Sequence, residues 1–253
     1  MRLPAPFYAW DEHLGIDLPG ARALFTTRRG GFSEGPYASL NVGRMTDDRF
    51  DAVGRNRARV QELAGVPSAM IFQVHGTLVR TISGMDEVGV AMAPDEDVDL
   101  PRADGQATGL RGVAPMVISA DCLPIAIAGD GAVAMLHAGW RGLAGGIVTE
   151  GVRAVRELGG DGRLEAAIGP GAGGCCYEVG DEVFELFAEY GDRARHGRNI
   201  DLKAIARDQL EGAGVESVHD VDLCTICSDE TLFFSHRRDH GVTGRQAGLV
   251  WLS

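Results

Sequence analysis

The chain has 253 residues, with 24 Lys plus Arg against 36 Asp plus Glu, a net charge of −12 and 45% hydrophobic residues. That length suits one hydrophobic core, and the acidic balance excludes a large basic face for duplex nucleic acid. No uncharged run approaches the roughly 18 residues of a membrane span, and no secretory leader is visible, so the expected location is cytoplasmic, with no membrane partner.

Residues 1–20 read as an edge extension. Ala21–Thr27 reads as a short strand, followed by a glycine loop from Arg28 to Gly35. Asp47 or Asp48 is expected to cap a helix from Arg49 to Ala64, with Phe50, Val53, Val60, Leu63 and Ala64 as its apolar stripe and Gly65 as its stop. Strands are expected at 70–75 and 77–82. The acidic, glycine-rich stretch 83–112, with Asp95, Glu96, Asp97 and Asp99, reads as a surface connection. Val113–Ser119, Leu123–Ala128 and Ala132–Leu136 are continuous apolar runs, the pattern of strands covered on both faces. A helix follows over Leu143–Leu158, with Ile147, Gly151, Val155 and Leu158 inward, and Gly159-Gly160 ends it. Leu164–Ile168 is a strand, 180–190 and 201–212 are helices, and 217–223, 231–236 and 246–252 are closing strands. Strands and helices are both numerous but do not alternate regularly, which favours a mixed layer sandwich over a doubly wound sheet.

Three polar residues stand out against apolar strands: His75 in Gln73-Val74-His75-Gly76, Cys122 in Ala120-Asp121-Cys122-Leu123-Pro124, and His137 in Leu136-His137-Ala138-Gly139-Trp140-Arg141-Gly142. Each lies at or just past a strand end, where layered α/β proteins form clefts. Two imidazoles and a thiolate are a ligand set for catalytic zinc, with a fourth position open to water or substrate. The same residues also fit a cysteine nucleophile with a histidine base, a copper site, or simple core packing. Five cysteines, with one adjacent pair and one CxxC, do not make a disulfide framework. Cys227 reads as incidental, because one CxxC cannot complete a four-cysteine zinc site. Cys175 and Cys176, if extended, face opposite ways.

These strings resemble a known family. Thr26-Thr27-Arg28, Gly30-Gly31, Ser33 and Ser39-Leu40-Asn41 look like the opening of the bacterial YfiH-like family, also called the laccase-domain or multicopper polyphenol oxidase family. The His75, Cys122 and His137 strings resemble its central motifs. Ile168-Gly169-Pro170, Cys176-Tyr177-Glu178-Val179, Cys224-Thr225, Phe233-Phe234-Ser235, Arg237-Arg238 and Thr243-Gly244-Arg245 continue the match. His236 departs from it, standing where relatives often carry Tyr.

The resemblance implies a single α+β domain over 1–253, a four-layer α-β-β-α sandwich with mixed sheets, and zinc on His75, Cys122 and His137. It also implies a purine nucleoside phosphorylase acting on adenosine, inosine or methylthioadenosine, with adenosine deaminase activity. Copper-dependent polyphenol oxidation, cysteine hydrolysis, peptidoglycan-precursor editing and a non-catalytic metal-binding module are the alternatives. The expected partners are a purine nucleoside and phosphate, with no obligate protein partner. Asp121 is the expected proton carrier and Glu178 the second choice. Asn41, Gln73, Cys176, Arg28, Arg141 and Arg237 are the expected substrate- or anion-binding residues. Arg141 stands where a helix start favours anions.

Overall fold

The structure is a computed structural model that describes residues 3–88, 100–160 and 162–253. The three apolar runs form β7 (Ala114–Ser119), β8 (Leu123–Gly129) and β9 (Ala132–Ala138), all three almost wholly buried. The short turn at 120–122 sends the chain from one sheet to another, while β8 and β9 form a tight antiparallel hairpin.

The first sheet has the order β1-β2-β3-β14-β7-β4. Its other strands are β1 (Tyr8–Trp10), β2 (His13–Leu18), β3 (Ala21–Phe25), β4 (Ser68–Ala69) and β14 (Gln246–Leu252). Only the β4–β7 pair is parallel. The second sheet has the order β13-β10-β8-β9-β6-β5. It adds β5 (Val79–Thr81), β6 (Gly105–Thr108), β10 (Glu165–Ile168) and β13 (Ser217–Asp220), with parallel pairs at both edges. A two-stranded ribbon joins β11 (Arg195–His196) to β12 (Asn199–Ile200).

Helix α1 (Phe50–Ala64) covers the outer face of the first sheet through Val60 and Ala64, against Leu24, Met116 and Leu249. Between the sheets lie Ile16, Phe25, Val117, Ala126, Val133, Met135 and Val250. Helices α2 (Trp140–Gly145), α3 (Ile147–Glu157), α4 (Asp181–Leu186) and α5 (Leu202–Gly212) lie on the far face of the second sheet, over Ile125, Ile127, Leu136 and Ile168. The result is a single α+β domain, with two mixed six-stranded sheets sandwiched between helices.

Several local expectations change. The acidic stretch 95–99 lies outside the described residues, but the stretch after it enters the fold as β6, between β9 and β5. Residues 70–75 are loop, because the backbone N–H groups of Val74, His75 and Gly76 donate to the Asp104 carboxylate instead of a strand. Residues 231–236 are also not a strand: the Gln246 side chain takes both backbone groups of Phe234. The helix expected from 143 to 158 starts earlier and breaks at Gly146, whose φ of 91° separates α2 from α3. At the start of α1, Asp48 accepts from Asn41 and from the Arg49 N–H, and Arg49 holds the cap position. Within the expected extension 1–20, residues 8–18 supply two paired strands, with β1 at the sheet edge.

Candidate metal centre

His75, Cys122 and His137 come together where the chain crosses between the sheets. Their donor atoms all lie within 4.8 Å of one another, and the imidazole centroids are 4.9 Å apart. His75 sits on the β4–β5 crossing and Cys122 on the β7–β8 turn, while His137 is the penultimate residue of β9. Gly139 leaves the room: a Cβ there would stand 2.8 Å from Cys122 Sγ and 3.5 Å from the His75 ring.

Asp104, which sequence reasoning missed, organises the centre. One carboxylate oxygen lies 2.9 Å from His137 Nδ1 and accepts the His75 N–H at 2.9 Å. The other accepts from Val74 and from Gly76 at 2.6 Å. Its backbone carbonyl accepts the His137 N–H. The carboxylate fixes Nδ1 as the donor, so Nε2 is the nitrogen that a metal would take once its proton is lost. Burial alone would raise the pKa of Asp104, but bonds from His137 and the backbone of Gly76 and Val74 hold it below the usual carboxylate range. The available signal was a lone acid beside Gly105, just before a strand.

Burial would also raise the Cys122 thiol, yet the His137 charge and hydrogen bonds from both histidines bring it down to about 6. His137 moves the opposite way: burial would lower it, but Cys122 and Asp104 raise it to about 9. The pair is a thiolate beside an imidazolium, ready to exchange its shared proton for a cation. Two nitrogens and one soft sulfur, with a carboxylate behind one imidazole, suit zinc or copper.

The triad opens on a cavity of about 630 Å³, large enough for a nucleoside-sized ligand. Gln73, Asp121, Arg141 and Arg237 line it, as does His236. Gln73 spends both ends of its amide on the backbone of Ile118. Asp121 accepts from Thr225 Oγ1 at 2.6 Å, Ser235 Oγ at 2.7 Å and the Arg237 N–H at 2.7 Å. This holds the carboxylate expected to move protons in a cage of donors. The Arg141 guanidinium lies 4.0 Å from the Trp140 ring centroid, and α2 is only six residues long. Both Trp140 and Arg141 line the cavity at the start of this helix.

The other expected residues lie elsewhere. Arg28 donates to the carbonyls of Ala38, Glu230 and Pro36 and covers the Phe234 ring. Asn41 is buried and closes its own loop, binding Thr46, Asp48, Gly43 and Arg245. Glu178 pairs with Arg198. Cys176 stands in a separate cluster with Cys175, Cys224 and Cys227, which corrects both the incidental reading of Cys227 and the opposed-faces reading of Cys175 and Cys176.

Three further arginines line the cavity: Arg44, Arg57 and Arg245. Burial, and then the Arg44 charge, lowers Arg57 to about 10. One terminal nitrogen of Arg44 and the Ser119 hydroxyl are buried without a hydrogen-bond partner among the described residues. The lining also includes the apolar side chains of Met70, Phe72 and Ile118. Among the described residues no helix is long and apolar enough to cross a membrane.

Residues 22–253 match the family described as multi-copper polyphenol oxidoreductase laccase. A Streptomyces coelicolor protein named purine nucleoside phosphorylase is 39% identical over 92% of this chain and 96% of its own length. A Xylella fastidiosa protein of the same name is 38% identical over 92% of this chain and 93% of its own. The crystal structure of a Bacillus licheniformis hypothetical protein, YfiH, superposes with a TM-score of 0.89 at 31% identity, covering 99% of this chain and all of that one. YlmD from Geobacillus stearothermophilus gives 0.88 at 33%, over 98% and 99%. The matched span takes in His75, Cys122 and His137 with nearly all of the fold around them, and the chain belongs to the YfiH-like family.

Proposed function

We propose that the chain is a zinc-dependent purine nucleoside phosphorylase acting on adenosine, inosine or methylthioadenosine, with accompanying adenosine deaminase activity. Residues 1–253 act as one cytoplasmic catalytic unit without an obligate protein partner. The observation that carries this reading is the His75–Cys122–His137 cluster on the wall of an arginine-bearing cavity. The names of relatives near 38% identity support it.

When bound, zinc would supply Lewis-acid character and lower the pKa of a coordinated water. The protein supplies placement. Arg44, Arg57 and Arg245 offer charge for phosphate, and the buried Arg44 nitrogen is a donor with capacity to spare. The apolar side chains of Met70, Phe72 and Ile118 suit a purine face. In phosphorolysis a phosphate oxygen bonds to the anomeric carbon as the carbon–nitrogen bond breaks, and the purine leaves with that electron pair. Arginines fixed beforehand stabilise such charge movement without reorganising. Ser119 and His236 add hydrogen-bonding groups to the cavity lining.

The test is adenine release from adenosine by purified protein, followed by chromatography with and without phosphate. The expected result is phosphate-dependent adenine, some inosine in either case, and loss of both in His75→Ala. Phosphate-independent release, or none, would overturn the phosphorylase reading. The thiolate–imidazolium pair favours one second reading, a cysteine hydrolase. That activity would survive chelation and disappear on alkylation of Cys122. Copper in the isolated protein, with oxygen-dependent phenol oxidation, would instead favour the polyphenol oxidase.

A further inference from the structure

The structure assigns a second metal site to this chain, a mononuclear zinc centre held by the thiolates of Cys175, Cys176, Cys224 and Cys227. The four sulfurs all lie within 4.8 Å of one another. Cys175 Sγ is 3.5 Å from Cys176 Sγ and 3.4 Å from Cys227 Sγ, and Cys176 Sγ is 3.4 Å from Cys224 Sγ. Four sulfurs each about 2.3 Å from one tetrahedral ion stand roughly 3.8 Å apart, so the quartet already has nearly the dimensions of that shell. An iron–sulfur cluster shares its cysteines among several irons and would spread them further.

Two chain segments build the site. Residues 173–177 form a turn in which the N–H groups of Cys176 and Tyr177 both donate to the Gly173 carbonyl. That turn swings two neighbouring side chains to one side, which an extended strand cannot do. Cys224 and Cys227 have the CxxC spacing of a zinc knuckle. The segments are joined by a bridge between Gly171 and Cys224, and the Thr225 N–H donates to the Gly171 carbonyl. The Gly173 N–H donates to Cys224 Sγ at 3.2 Å, the kind of outer support that metal-bound sulfur receives. A Cβ at Gly173 would stand 3.1 Å from Cys175 Sγ and 3.2 Å from Cys224 Cβ, so this position keeps the centre open.

An all-sulfur tetrahedron selects zinc over harder cations. Binding displaces one proton from each thiol to solvent, and four thiolates around one Zn²⁺ leave two net negative charges. Cys175 and Cys227 are exposed, which gives the ion a way in. None of the four cysteines lines the large cavity, but their segments reach it. Tyr177 is on its wall, and Thr225 donates to Asp121. The centre therefore ties together two segments that each adjoin a cavity-lining residue.

The assignment stands apart from the proposed activity and is tested by metal content. Full-length protein, grown with zinc, is analysed by elemental mass spectrometry as wild type, His75→Ala and Cys224→Ser/Cys227→Ser. The double cysteine variant should hold one zinc fewer than wild type. His75→Ala, which leaves all four cysteines in place, should retain a zinc whose X-ray absorption shows four sulfur neighbours near 2.3 Å. That measurement decides the matter even if the cysteine variant fails to fold. Zinc-free His75→Ala, nitrogen or oxygen in the shell, iron in place of zinc, or an intact mass lowered by 2 or 4 Da through disulfides would each overturn the assignment.

Discussion

Asp104 is bound to both imidazole-bearing segments at once. It orients the His137 ring through one oxygen and holds the backbone of the His75 loop through both. Asn at this position presents an NH2 where two of these donors need an acceptor, so one side of the arrangement must break. Asp104→Asn should bind metal about 10–100-fold more weakly, the usual cost of removing a carboxylate behind a ligating histidine. Competition against a chromogenic chelator measures this, and unchanged affinity would remove Asp104 from the centre. The three clustered residues drew attention in the sequence as polar interruptions of apolar runs, although only His137 lies within a strand. Asp104 did not, because its importance lies in bonds to residues 28–33 positions away, which no local pattern displays. Asn41 and Arg28 show the converse. Their motifs are conspicuous, yet the side chains hold their own loops together.

Among elements, the buried hairpin of β8 and β9 was the most legible, since both faces are covered and the apolar runs are unbroken. Helix α5 was also clear, with Leu202, Ile205, Ala206 and Leu210 all buried. Strand β6 was hidden because it is only four residues long and reads Gly-Gln-Ala-Thr, with Gln106 bonding the carbonyls of Ala69 and Met116. The junction from β9 to α2 matters more than either element alone, since it brings Gly139 against Cys122. Gly139→Ala should push a methyl into the thiolate and lower metal occupancy severalfold, while the adjoining hairpin keeps the fold. Metal content beside a thermal melt distinguishes the two effects. Full occupancy with a normal melt would show that the sulfur can yield.

At the scale of the whole molecule, four layers meet at two helix–sheet interfaces and a single inter-sheet core. The sandwich was foreseeable from irregular alternation, but strand order was not, because β14 pairs with β3 more than 200 residues away. His13 ties the pH response of this assembly to its core. It is 3% exposed, and its Nδ1 accepts the Thr27 N–H. Burial lowers its pKa from 6.5 to about 4. Between those values an unfolded chain takes up a proton that the native state refuses, so stability falls as pH drops through this window and is retained above it. The loss should approach about 3 kcal/mol by pH 4, and His13→Gln should flatten that slope in urea titrations from pH 7 to 4. An unaltered slope would assign the acid sensitivity to other groups. The crossings between the sheets carry one further consequence. Because His75 and Cys122 ride on two such passages and His137 on the hairpin behind them, an ion gripped by all three would act as a rivet through the laminate. Its departure should let solvent exchange amide hydrogens faster along both passages together.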